Sequence, residues 1–204
     1  MGAMLVAALM IAGSSAGQLR ITAYDKTQPS RLRGPGAIRA VRRIFREAGI
    51  SISWVTGVLT DSEASLMIYE APRKGREEEG ACHARRDIAL DIVPSAPPTL
   101  HRTVLGIGQP LARTGLNVRV FDDHVLQASE SRNMPSDMVL AHAIAHEIGH
   151  VLLRSGAHRS RGLMSEVWTS REYEEMAKGS LLFTADESRK MCMTLKGAAC
   201  PTLD

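Results

Sequence analysis

Between Ser136 and Arg154, four side chains able to bind a metal or move a proton stand among apolar neighbours: His142, His146, Glu147 and His150. Met138, Val139, Leu140, Ala143, Ile144, Ala145, Ile148, Val151, Leu152 and Leu153 make the segment apolar nearly all the way round. A helix with that pattern is buried. A charge inside such a helix is costly unless it is paired or bound to metal. The run His146-Glu147-Ile148-Gly149-His150 supplies a reason for the polar groups, because it is an HExxH pattern. Residues four apart lie one turn apart on the same helix face, so both imidazoles can reach one ion. Glu147 is rotated about 100° from His146 and stands beside the ion as a general base, not as a ligand. The ion this pattern takes is Zn2+, which brings water to a near-neutral pKa for attack on a substrate. Histidine is scarce, seven in the chain, so an accidental match is hard to reach. His142 and His150 are about 12 Å apart along a straight helix and cannot share the ion with His146. His142 therefore reads as a core or supporting histidine.

A catalytic zinc needs a third protein ligand. His158, His124, His101, His83, Glu166, Glu172, Glu174 and Glu175 all carry suitable atoms. His158 is best placed, because a helix stopping near Gly156 lets the chain turn back there. From His146 to Met164 the sequence resembles the metzincin metallopeptidases, whose pattern is HExxHxxGxxH followed by a methionine turn. The resemblance implies His146, His150 and His158 as the Zn2+ ligands, Glu147 as the catalytic residue and Met164, after Gly162 and Leu163, as the turn methionine. The spacing departs from the family. The family glycine falls at Leu153 and its histidine at Gly156, whereas here glycine and histidine stand at Gly156 and His158. A gluzincin-like site with Glu166 or Glu172 as third ligand is the alternative.

The elements that must carry these residues follow from periodicity. Leu19–Tyr24, Ile50–Val55, Asp87–Val93 and Asn117–Phe121 read as strands, and Ser65–Tyr69 as a shorter one. Val104–Leu111, with two glycines and Pro110, suits a sheet edge. Ala37–Ala48 has a helical period and stops at Gly49. Ser136 is the expected N-cap of the central helix, Asp137 suits its first turn, and Gly156 is the expected stop. Short helices are expected over Arg171–Lys178 and Ala185–Leu195, the second opened by a Thr184–Glu187 capping box. The resemblance implies an α+β fold: a twisted, mostly parallel sheet of about five strands with an antiparallel edge strand. Two long helices, one the zinc helix, pack on it, and a small helical C-terminal subdomain follows.

Met4–Ala12 is an apolar run too short to span a bilayer, followed by small residues. Residues 1–17 read as a signal peptide cut near Ala16, although no Lys or Arg precedes the run. Residues 18–204 then form one metallopeptidase domain. Its upper part is 18–156, and 157–204 carry the third ligand, the methionine turn and the last helices. A secreted or periplasmic protein is expected, with no stable membrane insertion once the leader is removed, or a cytoplasmic one if the leader stays. Of the three cysteines, Cys82, Cys192 and Cys200, the last two are close enough to bridge, and none lies in a CxxC pair.

A net charge of +3 and few aromatics do not support nucleic-acid binding. Arg39, Arg42, Arg43 and Arg46 recur at near-helical spacing as a solvated face. The activity implied is peptide-bond hydrolysis by a monomer, with an extended peptide substrate paired along Val104–Leu111. Trp168 would wall the side-chain pocket, and Arg171 and Tyr173 would be oxyanion helpers. A non-catalytic zinc-binding module, closed by His124 or His101 as a fourth ligand, is the reading from another functional class.

Overall fold

Leu19, Ile21 and Ala23 are fully buried and alternate with the less buried Arg20 and Thr22, which makes β1 (Gly17–Asp25) a strand with one face in the core. The computed structural model describes residues 17–32, 35–57, 87–110 and 118–196. Most of the expected leader, the Ser65–Tyr69 strand, Cys82, His83 and Cys200 lie outside the described residues. β2 (Ile50–Gly57) and β3 (Asp87–Val93) flank β1 in parallel, with Ile21 opposite both Trp54 and Ile88. β5 (Val118–Phe121) pairs in parallel with β3, and β4 (Gly106–Gly108) closes that edge antiparallel to β5. The sheet order is β2-β1-β3-β5-β4. This is the expected α+β sheet with one antiparallel edge strand. The edge strand is shorter than expected, three residues in place of Val104–Leu111.

The helices bury one face of this sheet. α1 (Pro35–Glu47) contributes Ala37, Val41, Ile44 and Phe45 and ends before Gly49, whose φ is +76°. Arg39, Arg42 and Arg46 face solvent, while Arg43 Nη1 donates to Gly179 O at 2.9 Å. The stripe is thus largely a solvated face. α2 (Asp122–Ser131) follows β5 without a loop, and no helix was expected there. Its buried side chains include Asp122, His124 and Ser129, so its apolar period is thin. Asp122 and Asp123 in its first turn are the signal that marked it.

α3 (Ser136–Leu153) is the buried central helix, and α1, α2, β4, β5 and both later helices pack around it. Two expectations about its ends are corrected. Pro135, not Ser136, is the N-cap, and its carbonyl accepts from the Met138 and Val139 amides. The stop is Arg154, at φ 51° and ψ 38°, not Gly156, which has no positive φ. That left-handed step lets the Ser155 amide close on His150 O at 3.2 Å and sets the following chain back along the helix.

α4 (Ser170–Ala177) and α5 (Ala185–Lys196) pack back on α3. The Thr184–Glu187 capping box is present, with Thr184 N donating to Glu187 Oε2 at 2.8 Å and Glu187 N to Thr184 Oγ1 at 3.3 Å. The Cys192 thiol lies against Ala48 O and forms no disulfide among the described residues. Among the described residues no helix is long and apolar enough to cross a membrane.

Gly149 shows how tightly α3 is held. A Cβ there would lie 2.6 Å from Met164 Sδ and 2.9 Å from Phe183 Cε1. Both side chains rest directly on the helix backbone. Gly149→Ala is expected to lower stability by about 1–3 kcal/mol through overpacking. Gly156→Ala, with nothing within 4 Å of the added carbon, is expected to stay within about 0.5 kcal/mol. Denaturant unfolding of the two variants side by side checks this.

Candidate metal centre

His146 and His150 project from one face of α3, and the chain after Arg154 brings His158 to the same point. His146 Nε2 lies 3.0 Å from His150 Nε2, which lies 3.1 Å from His158 Nε2. The three groups offer one nitrogen each, all within 4.8 Å of one another. The other ring nitrogens show what these contacts are. His146 Nδ1 donates to Leu163 O and His150 Nδ1 to Ser155 O, both at 2.7 Å. A carbonyl only accepts, so in the neutral rings both protons sit on Nδ1 and both Nε2 atoms present lone pairs. Burial keeps the rings neutral, holding His146 down at about 4 and His150 below the usual imidazole range. Lone pairs this close repel unless a cation lies among them. Ligands about 2.0 Å from one tetrahedral Zn2+ stand roughly 3.3 Å apart, near the separations seen. The donor set fits Zn2+.

The segment after His158 is a tight turn folded under the triad. Arg159 N donates to Met164 O at 2.8 Å and Ser165 N to Gly162 O at 3.1 Å, with Gly162 at φ +88°. Leu163 O accepts from His146 Nδ1 and also from Trp168 Nε1 at 3.2 Å. Met164 is buried beneath α3 at Gly149. One turn therefore carries His158, orients His146 and supports the helix between the two helical histidines. A hydrogen-bonded partner for each metal histidine is the usual outer support of such a site. The sequence named neither Leu163 O nor Ser155 O, because a backbone carbonyl leaves no residue-type signal.

Glu147 lies beside the triad under β4. A Cβ on Gly106 would meet Glu147 Cγ at 2.7 Å, and one on Gly108 would meet the Glu147 backbone oxygen at 2.5 Å. Only glycine lets the edge strand approach so closely. Burial pushes the Glu147 carboxyl up to about 8, against a hydrogen bond from the Gly108 amide that favours the charged form.

Among the described residues the remaining candidates stand outside the histidine cluster. Glu172 is buried and takes Thr169 N at 2.9 Å, Thr169 Oγ1 at 2.6 Å and Gly162 N at 3.4 Å, capping α4 and steadying the turn. Glu166 is exposed on the cleft wall, Glu174 is exposed, and Glu175 pairs with Arg171. His124 Nδ1 donates to Val104 O at 2.7 Å, and His101 Nδ1 bonds Thr103 Oγ1 at 2.8 Å. His142 is a core residue, as expected: fully buried, bonded to Met138 O and edge-on to Trp168. Trp168 and Tyr173 line a cleft of about 760 Å³ over the triad, but Arg171 does not.

Zinc uptake should release a proton. At pH 7 the Glu147 carboxyl, at about 8 without metal, holds its proton, whereas His146 and His150 have none to lose. A dication nearby favours the carboxylate. Calorimetric titration at pH 7 in buffers of different ionisation enthalpy is expected to show release of about one proton. That release should be smaller in Glu147→Gln, where zinc-bound water remains as a source of protons.

No protein-family model and no curated protein sequence matches this chain. Among solved structures it superposes on an archaemetzincin from Methanopyrus kandleri with a TM-score of 0.52, at 14% identity over 89% of this chain and 98% of that one. A zinc-dependent peptidase from Methanocorpusculum labreanum aligns with a TM-score of 0.49, at 16% identity over 84% and 99% of the two chains. The likeness to the archaemetzincin is one of fold.

Proposed function

We propose that this chain is a metzincin-like, zinc-dependent endopeptidase. His146, His150 and His158 hold Zn2+, Glu147 is the general base and Met164 is the turn methionine. The observation that carries the reading is the convergence of three imidazole nitrogens beside a buried carboxylate in an open cleft. A Zn2+ ion there acidifies water and polarises a carbonyl. Glu147, in carboxylate form, takes the proton of the attacking water and passes it to the leaving amine. Gly106–Gly108 is the sheet edge and lies over Glu147. An extended peptide adding to that edge by backbone hydrogen bonds runs past the triad.

The non-catalytic module is the weaker reading. A closed structural site needs a fourth protein ligand, and among the described residues the metal-ligating cluster consists of His146, His150 and His158, without His101 or His124. Nor does a structural site need a carboxylate buried beside its ligands.

Glu147→Gln is expected to keep its zinc and to lose about 10²–10⁴-fold in turnover of a peptide library, the contribution of a positioned general base. Turnover retained at the wild-type rate in the zinc-loaded variant would remove Glu147 from this role.

A further inference from the structure

The cleft lining carries two acids and two arginines. Its acids are Glu147, buried under β4, and Glu166; its arginines are Arg102 and Arg132. Elsewhere Arg20 pairs with Asp87, Arg31 with Asp122, Arg159 with Glu187 and Arg171 with Glu175, while Arg43 donates to the Gly179 carbonyl and Arg39 and Arg42 face solvent. Among the described residues, Arg102 and Arg132 have no carboxylate partner. Neutral groups hold them instead. Arg102 Nη1 donates to Gln127 Oε1 at 3.0 Å and Arg132 Nη1 to Ser170 Oγ at 3.0 Å. The Arg132 guanidinium also stands 5.1 Å from the centre of the Tyr173 ring. These contacts orient the guanidinium and neutralise nothing. Four of its five N–H donors remain for a planar acceptor.

Its place connects it to the metal centre. Tyr173 is edge-on to Trp168 at 6.2 Å, and Trp168 is edge-on to His146 at 5.9 Å. Arg132 thus continues the aromatic wall that begins at a member of the triad. Ala128 and Ala143, also in the lining, leave room beside it.

We infer that the cleft selects peptides bearing a carboxylate near the scissile bond and that Arg132, assisted by Arg102, is the group that reads it. This rests on the peptidase reading of the same site. The carboxylate is that of an Asp or Glu side chain or of a peptide C-terminus, and the test separates these sources.

Fluorescent peptides are titrated into zinc-loaded Glu147→Gln protein, and the same peptides are incubated with wild-type enzyme. One peptide carries Glu with an amidated end, one carries Gln with a free end, and one carries Gln with an amidated end. One of the carboxylate peptides is expected to bind about fivefold tighter than the uncharged one at low salt, the gap narrowing as salt rises. Adding Arg132→Gln should remove the difference, and Arg132→Lys should restore part of it. Equal binding of all three peptides, or a preference untouched by both Arg132→Gln and Arg102→Gln, overturns the inference. A binding preference intact while wild-type enzyme cleaves none of the peptides keeps the inference and overturns the peptidase reading alone.

Discussion

Two backbone carbonyls decide the chemistry of this molecule. Leu163 O and Ser155 O hold the Nδ1 protons of His146 and His150 and so aim both Nε2 lone pairs at one point. Inside so apolar a helix, each imidazole needs that partner, because burial leaves no water to supply one. Both carbonyls come from chain that follows α3 and doubles back. The left-handed step at Arg154 and the turn at Gly162 are thus conditions of the metal site as well as of the fold.

A second constraint is the closeness of the edge strand. Glu147 is buried because β4 lies on it, and β4 can lie there because residues 106 and 108 are glycines. The same approach sets the free sheet edge beside the triad. Removing either glycine would push the strand away and change both the acidity of the carboxyl and the position of the edge. On the opposite side of α3, Gly149 admits Met164 and Phe183 in the same way. The helix is pressed from two sides through residues without side chains.

Features that depend on contacts close in sequence were legible in the chain. The His146–His150 pair is an i,i+4 contact, the alternation of β1 and β3 marks their buried faces, and the Thr184–Glu187 box closes over three residues. The parallel sheet with its antiparallel edge also follows the expected plan. What stayed hidden depends on distant partners or on backbone geometry. α2 has few apolar positions and no loop before it. The stop at Arg154 rests on a non-glycine residue in a left-handed conformation, while Gly156 offered the louder signal. Glu172 looked like a ligand by type, but its neighbours Thr169 and Gly162 occupy it. That Arg132 meets Ser170 and Tyr173 and not a carboxylate became visible only in the structure.

The claim on which everything else rests is that His158 completes a metal site with the two helical histidines. Zinc per mole in purified wild-type and His158→Ala protein, measured together, tests it most directly. The account expects about one zinc in the wild type, largely lost in the variant. Full zinc in the variant would place the third ligand elsewhere. No zinc in either protein after reconstitution would leave the histidine cluster as buried packing and contradict the account.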